Sequence, residues 1–200
     1  MVDFQRRDTP RDELEDSAES KPAETEPEPD HDHDHHAPDL ESVGAAVLTI
    51  STSRSLDDDP SGDAIRDAFE ADGHRVVTRE LVGDDLDRIQ GIASQLVDRR
   101  DVDVLVSTGG TGVSPDDVTV EAVKPLFEKE LPGFGELFRR KSVEEIGSKA
   151  IASRATAGIA NGVPVFVLPG SLDAVSLAMG SLILPEIGHL AGLARHDSDR

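Results

Sequence analysis

The first half of the chain alternates between short hydrophobic runs and segments with helical spacing of apolar residues. Residues 43–50 form an apolar run, and residues 103–106 are an Asp followed by Val-Leu-Val; both are typical of buried parallel strands, and residues 76–81 are predicted to form a strand between them. Apolar side chains recur three or four positions apart in residues 64–69 and 86–97, which predicts two helices. The order β-α-β-α-β predicts a right-handed, parallel, doubly wound sheet.

The last part of the chain predicts a hairpin followed by a long helix. Two apolar runs, 155–160 and 163–168, are joined by Asn161-Gly162, a strong signal for a two-residue turn. An apolar helix is predicted from about 172 to 193, with a break near Pro185. The predicted fold class is therefore α/β, a three-layer α/β/α arrangement with a mostly parallel sheet and an added edge hairpin.

In the segment that precedes the predicted hairpin, residues 132–154, the apolar residues show no clear periodicity. Residues 132–138 combine proline and glycine with Phe134 and Phe138, so we predict a flexible backbone there, and short helices at 142–146 and 151–154. Phenylalanines beside glycines are poorly explained as surface, and this segment is the candidate subunit interface. Core packing within one subunit is the alternative.

The strand predicted at 103–106 leads into a loop of glycine and hydroxyl residues. Three glycines in four positions allow backbone N–H groups to approach an anion closely. Ser114 is a credible N-cap and Pro115 a credible first helical residue, so a helix N-terminus is predicted to face the same pocket. The spacing fits neither a dinucleotide fingerprint nor a Walker loop. A purely structural turn is one interpretation; the other is a phosphate or carboxylate site formed by Ser107, Thr108, Gly109, Gly110, Thr111, Gly112 and Ser114.

A second loop of this kind follows the run 163–168. It reads Pro169-Gly170-Ser171, and Ser171 is predicted to cap the long helix. Two anion sites at the carboxyl edge of one sheet indicate a ligand with phosphate at more than one point.

Aspartates precede two of the predicted helices. Asp59 before Pro60 is predicted to be an N-cap, whereas Asp57 and Asp58 are interpreted either as cation ligands or as a solvated loop. Asp84 precedes the helix at 86–97, where capping alone would account for it. Because Asp84 also follows a strand beside the glycine-rich loop, a catalytic role stays open.

Residues 1–40 differ from the rest in composition. They contain 14 acidic and 4 basic residues, several prolines and hardly any apolar side chains, so we expect a disordered tail. Residues 41–196 are predicted to form the folded domain, and 197–200 a polar end. The tail contains a His-Asp tract at 31–36 that suits adventitious Zn²⁺, Ni²⁺ or Cu²⁺, although a solvated low-complexity segment is the simpler interpretation.

Charge and composition exclude several classes of function. The net charge of −21, with 5 Lys against 15 Arg, is typical of salt-adapted proteins and leaves no basic stripe for nucleic acid. The absence of cysteine excludes disulfides and thiolate chemistry. No apolar run reaches membrane-spanning length and no signal peptide is evident, so we expect a cytoplasmic protein that is not in a membrane.

Taken together, the motifs resemble the MoaB/MogA family of molybdenum cofactor biosynthesis proteins, the MoaB branch in particular. No single motif is specific, but their order and spacing across nearly the whole domain are. The residues that carry the resemblance are Asp57–Gly62, Ser107–Gly112, Asp116–Thr119, Pro132–Glu136, Glu144–Gly147, Ser153–Ala155 and Leu168–Ser171.

The resemblance implies a homotrimer or homohexamer that transfers AMP from ATP to the terminal phosphate of molybdopterin and passes its product to a molybdenum insertase. The family's two catalytic carboxylates fall on Asp84 and Asp117, which we interpret as Mg²⁺ ligands. Pro169, Gly170 and Ser171 join the glycine-rich loop as phosphate-binding residues. Further motif residues that are candidates for the site are Asp59, Ser61, Gly62, Glu136 and Arg154.

Two other functions are compatible with the sequence. A non-catalytic molybdopterin-binding or scaffold member of the family would keep the pocket without turnover. A metal-handling protein would depend on the His-Asp tract instead.

Overall fold

The computed structural model describes residues 39–195, which form a six-stranded sheet covered by helices on both faces. The strand order is β2-β1-β3-β6-β5-β4, in which β2, β1, β3 and β6 are parallel and β5 and β4 are antiparallel to their neighbours. The strands are β1 Gly44–Ile50, β2 Arg75–Val82, β3 Val104–Thr108, β4 Lys129–Glu130, β5 Thr156–Ala160 and β6 Val163–Leu168.

Six α-helices accompany the sheet in the described residues. They are α1 Pro60–Ala71, α2 Leu86–Val97, α3 Thr119–Val123, α4 Pro132–Ile146, α5 Leu172–Ala178 and α6 Ile187–Ala194. Short 3-10 turns at Lys124–Leu126 and Gly147–Ala152 follow α3 and α4, and a π-helical turn at Met179–Ile183 follows α5.

Alternate residues of β1 belong to two separate cores, which confirms the three-layer prediction. Ala45 and Val47 face a cluster that includes α1, α4, α5 and α6, and Ala46 and Leu48 face a cluster that includes α2 and α3. Every residue of β1 and β3 is buried, as expected for central parallel strands.

The predicted hairpin is confirmed. Asn161 and Gly162 have φ of 49° and 71°, the left-handed conformations that a tight hairpin turn requires. The hairpin enters the sheet through β6, which pairs with β3. Beyond it lies the two-residue strand β4, which the sequence did not indicate.

The prediction of a flexible segment at 132–138 and a separate short helix at 142–146 is wrong, because these residues form one helix, α4, whereas the short helix predicted at 151–154 overlaps the 3-10 turn Gly147–Ala152. Pro132 occupies its first turn, where a missing N–H costs nothing. Gly135 is required by close packing, since a Cβ there would lie 2.7 Å from the Ala155 carbonyl oxygen. The interface hypothesis is wrong for Phe138, which is 1% exposed in the core of one subunit and stacks on Phe134 at 6.2 Å.

The predicted domain start at residue 41 also needs correction. Leu40 packs against the core, and its N–H donates to the Gly188 carbonyl oxygen at 3.1 Å. Asp39 contacts His189 at 2.8 Å. The predicted disordered tail, its His-Asp tract and the polar end at 197–200 lie outside the described residues.

No single helix in residues 39–195 is long and apolar enough to cross a membrane. One bent pair, Leu172–Ile183 with Ile187–Ala194, meets the length and composition criteria together, with a 68° bend. Pro185 lies at this break, as predicted. Side chains of both members of the pair belong to the core cluster on one face of the sheet.

Candidate functional site

The four parallel strands end at one edge of the sheet, so the segments that follow them meet there. Residues 51–59 follow β1, 83–85 follow β2, 109–118 follow β3, and 169–171 follow β6. Most of the predicted site residues lie in these four segments or in the first turn of α1, and Ser107 and Thr108 lie at the end of β3. The topology therefore brings them together.

The glycine-rich loop needs its glycines for both conformation and space. Gly109 and Gly110 have φ of 101° and 62°, and a Cβ at either position would clash, with the Ile50 carbonyl oxygen and the Thr119 hydroxyl respectively. Thr119 Oγ1 is buried and has no hydrogen-bond partner among the described residues. The backbone at Gly109 and Gly110, which carries no side chain, therefore lies directly against the Ile50 carbonyl oxygen and the Thr119 hydroxyl.

Two carboxylates approach this loop at alternate residues. A Cβ built on Gly110 would lie 3.4 Å from Asp84 Oδ1, and one built on Gly112 would lie 2.6 Å from Asp117 Oδ2. The expected cap role of Asp84 is wrong, because the N-cap of α2 is Asp85, whose side chain accepts the Arg88 N–H at 2.9 Å. Asp84 is thus left with its carboxylate beside the loop.

The helix after the loop begins later than predicted, at Thr119 rather than Pro115. Ser114 is not its N-cap. Instead, the Ser114 N–H donates to Asp117 Oδ2 at 3.0 Å, and the Asp117 N–H donates to the Ser114 carbonyl oxygen at 3.0 Å. These reciprocal bonds close a tight turn in which the short Asp side chain takes a backbone-like role.

Arg154 holds the glycine-rich loop in place. Its Nε donates to the Gly112 carbonyl oxygen at 2.8 Å and its Nη2 to the Asp117 carbonyl oxygen at 2.7 Å. The guanidinium also pairs with Glu121. Hydrogen bonds from Arg154 hold the pKa of the Glu121 carboxyl below its ordinary value. Arg154 therefore serves as a structural clamp of the loop.

Two predicted site hydroxyls are likewise used by the fold. Thr108 Oγ1 donates to the Pro169 carbonyl oxygen at 2.9 Å, and Ser107 Oγ donates to the Phe166 carbonyl oxygen at 3.3 Å. Both residues are buried. Ser107 thus joins β3 to β6, and Thr108 joins the end of β3 to the loop after β6, where Ser171 caps α5 as predicted.

Three further candidate residues, Asp59, Ser61 and Gly62, also form hydrogen bonds that stabilise the fold. Asp59 is the N-cap of α1, as predicted, and its buried carboxylate accepts the Gly62 N–H at 3.0 Å and the Thr49 hydroxyl at 2.6 Å. Arg79 also pairs with this carboxylate, with its Nη2 at 3.3 Å from Asp59 Oδ2. Ser61 Oγ donates to the Gly170 carbonyl oxygen at 2.9 Å, which fixes the loop after β6 against α1.

Arg54 was not predicted from the sequence. Its Nη1 donates to Ser61 Oγ at 3.2 Å and lies 3.8 Å from Asp59 Oδ1. No hydrophobic period or sequence motif in residues 51–59 singles out Arg54, so only the tertiary structure shows that it lies beside Ser61 and Asp59.

A cleft of about 440 Å³ opens between the two loops and α4. Its lining includes residues 109–112, Asp117 and Pro169–Ser171 from the predicted set. Asp84 and Arg154 contact the loop without lining the cleft, and Glu136 is exposed on α4 away from it. The remaining wall was not predicted and consists of Phe138, Ser142, Ile146, Lys149, Ala152, Ser153 and Ala174.

The donor set fits Mg²⁺ better than a transition metal. Within residues 39–195 no group of three or more His, Cys, Asp or Glu side chains is arranged to hold a metal ion. Mg²⁺ is commonly held by one or two carboxylates together with substrate phosphates and water, rather than by a cage of protein ligands. Asp84 and Asp117 are the carboxylates that approach the glycine-rich loop, so they are the residues that would hold such an ion.

Comparison with known proteins agrees with this architecture. Residues 46–189 match the family described as "Probable molybdopterin binding domain". Molybdenum cofactor biosynthesis protein B of Halalkalibacterium halodurans is 45% identical over 151 residues, which are 75% of this chain and 89% of that protein.

Solved structures give the same result. A crystal structure of molybdenum cofactor biosynthesis protein B is 44% identical, with a TM-score of 0.75, over 76% of this chain and 96% of the other. The tungsten cofactor synthesizing protein MoaB from Pyrococcus furiosus is 37% identical, with a TM-score of 0.70, over 80% of this chain and all of the other. By sequence and by fold, this chain belongs to the MoaB family of molybdenum cofactor biosynthesis proteins.

Proposed function

We propose that the protein is a molybdopterin adenylyltransferase, which transfers AMP from ATP to the terminal phosphate of molybdopterin. The observation that carries the proposal is the approach of two carboxylates, Asp84 and Asp117, to two glycines, Gly110 and Gly112, of one loop that borders a cleft. A loop that only turned the chain would use the Asp117 carboxylate to bind the Ser114 N–H but would not need that of Asp84.

In this reaction a phosphate oxygen of molybdopterin attacks the α-phosphorus of ATP. A new P–O bond forms, the bond from the α-phosphorus to the bridging oxygen breaks, and pyrophosphate leaves. A phosphate monoester has a second pKa near 6, so the nucleophile is largely ionised at neutral pH and needs no general base. The difficulty is to bring two anions together in a protein with a net charge of −21.

The chain's own groups address this difficulty in three ways. Backbone N–H groups of Gly110–Gly112 and of Gly170 and Ser171 bind phosphate oxygens. Arg154, Thr108 and Ser61 keep both loops in a fixed geometry, so that little reorganisation accompanies the reaction. Asp84 and Asp117 would hold Mg²⁺, which when bound neutralises charge shared between the two phosphate groups.

The proposal is tested by incubating the purified protein with ATP, Mg²⁺ and molybdopterin and measuring pyrophosphate. We expect pyrophosphate release that requires all three components, together with adenylylated molybdopterin as the second product. Asp84→Asn should reduce the rate by at least about a hundredfold. Asp87→Asn is the matched control, since Asp87 is an exposed residue of the first turn of α2.

Molybdopterin binding without pyrophosphate release would refute adenylyl transfer and establish the non-catalytic binding function. Deleting residues 31–36 tests the metal-handling alternative. We expect this deletion to remove tight Ni²⁺ or Zn²⁺ binding and to leave pyrophosphate release unchanged.

A further inference from the structure

The cleft has a single positively charged side chain among its lining residues, Lys149. Lys149 lies in the 3-10 turn Gly147–Ala152 that follows α4. The turn is anchored by Ala150, which is buried, and by a bond from the Ser153 N–H to the Ala150 carbonyl oxygen at 3.0 Å. Lys149 itself is exposed and lines the cleft.

The arginines close to the two loops are already committed to the protein. Arg154 binds the Gly112 and Asp117 carbonyl oxygens and Glu121, and Arg54 contacts Ser61 and Asp59. Arg79 pairs with Asp59 and Asp63. Moving any of these side chains to a ligand would break contacts that hold the loops.

Lys149 differs because no ion pair in the described part of the chain involves it. The other charged side chain that lines the cleft, Asp117, repels phosphate until its charge is compensated. An ammonium group carries three donors and no acceptor, so a phosphate oxygen is a well-matched partner.

We infer that Lys149 is the side chain that binds a phosphate group of the substrate in this cleft. The inference rests on the proposed function, in that the phosphate belongs to ATP or to molybdopterin. The two ligands share the chemistry that Lys149 recognises, and separate titrations identify which of them it contacts. Lys149 is a binding residue in this assignment and takes no part in proton transfer.

The test compares the full-length protein with three variants. Lys149→Met removes the charge with little change in length, Lys149→Arg keeps it, and Lys129→Met removes the same charge from the exposed strand β4, far from the cleft lining. Calorimetry gives the Kd of each protein for ATP with Mg²⁺ and for molybdopterin, and thermal unfolding gives each Tm.

We expect Lys149→Met to raise the Kd for one of the two ligands about tenfold, and its KM by a similar factor, with kcat changed less than about threefold. Lys149→Arg should restore binding to within about twofold, and Lys129→Met should change nothing. A Lys149→Met protein that binds both ligands as tightly as the wild type overturns the inference. A lowered Tm with unchanged binding does so too, because it would show that Lys149 only compensates the negative end of α4.

The outcomes separate this inference from the proposed function. A wild-type protein that binds a ligand through Lys149 but releases no pyrophosphate refutes adenylyl transfer and leaves the binding role established. If the wild-type protein releases pyrophosphate and Lys149→Met leaves Kd and KM unaltered, adenylyl transfer is established and the binding role of Lys149 is refuted. If the wild type binds neither ligand, both proposals fail.

Discussion

The carboxylates of Asp116 and Asp117 are adjacent in the chain but lie in different surroundings. Asp117 is half-buried, lines the cleft and accepts the Ser114 N–H through Oδ2. Asp116 is exposed and lines none of the hollows beside the loop. Both lie in a turn before α3 rather than in the helix itself, and only Asp117 closes that turn with Ser114.

We predict that Asp117→Asn lowers kcat by at least about a hundredfold, roughly 2.7 kcal/mol of transition-state stabilisation. The amide oxygen can still accept the Ser114 N–H, so the variant removes charge and keeps the turn. Asp116→Asn should change kcat only a few-fold, and molybdopterin should bind to both variants. Equal losses in the two variants would contradict a special role for Asp117.

The pair of Arg154 and Glu121 has a pH dependence of defined sign. The pKa of Glu121 is lowered in the folded protein, so its contribution to stability is present above the unfolded-state pKa and is lost as pH falls through the folded-state value. We predict that Glu121→Gln lowers Tm at pH 7 by about 1 to 3 °C, a modest effect because the pair is partly exposed.

The effect of the same substitution on Tm should diminish as pH falls through the lowered folded-state pKa of Glu121, because the wild-type carboxyl then becomes protonated. Glu128→Gln is the control, since Glu128 is exposed and its side chain has no ion pair among the described residues. A Tm difference for Glu121→Gln that stays constant as pH is lowered until the wild-type carboxyl is protonated would show that charge is not its origin.

At the scale of elements, the residues of the site lie where helices begin and where strands end. The first turn of α1 reaches the loop after β6 through Ser61, and Arg154, just before β5, reaches the loop after β3. Each loop is therefore held by an element distant in sequence. This arrangement explains why the hydroxyls of Ser61, Ser107 and Thr108, which were candidates for ligand binding, instead donate hydrogen bonds to carbonyl oxygens of the protein.

The amino-terminal segment also matters as an element, because Leu40 contacts α6 and the core. We predict that removing residues 1–38 leaves Tm within about 1 °C of the full-length value, whereas removing residues 1–40 lowers it by about 2 to 4 °C. The larger change reflects roughly 1 kcal/mol from lost apolar burial and one backbone hydrogen bond. Equal Tm values for the two truncated proteins would show that Leu40 contributes nothing.

At the scale of the whole molecule, the net charge of −21 dominates the response to solvent. The Debye length falls from about 10 Å at 0.1 M salt to about 3 Å at 1 M, so repulsion between surface carboxylates is screened. We predict that Tm rises by several degrees when KCl increases from 0.1 to 1 M. A 1 M sucrose control separates screening from general solute exclusion, and a Tm that is flat or falls with KCl would contradict the prediction.

Assembly into a trimer or hexamer stays a prediction at this scale. Two large apolar side chains are strongly exposed in one subunit, Ile151 at 91% and Val113 at 76%. Because apolar burial contributes about 25 cal/mol per Å², we predict that assembly covers them and that Ile151→Asp shifts the sedimenting species toward the monomer. Leu193→Asp, on α6, is the control. A wild-type monomer with full activity would reject assembly as a requirement.

The sequence by itself determined the layered α/β fold, the hairpin at Asn161-Gly162 and the caps Asp59 and Ser171. Each depends on local periodicity or on a side chain bonding to nearby backbone, information that a short window contains. The glycine-rich loop was also predictable, because three glycines in four positions directly after a buried strand favour a tight turn with exposed backbone N–H groups. Asp84 and Asp117 were selected through family resemblance rather than through spacing.

Only the tertiary structure decided what the individual side chains do. Arg154 and Thr108 are typical phosphate-binding types, yet both donate to backbone carbonyl groups more than 40 residues away. Conversely, Lys149 has no distinguishing local pattern and becomes part of the cleft because α4 is continuous and ends there. The reason is physical: a side chain's function depends on which polar groups compete for it, and most of those groups come from distant parts of the chain.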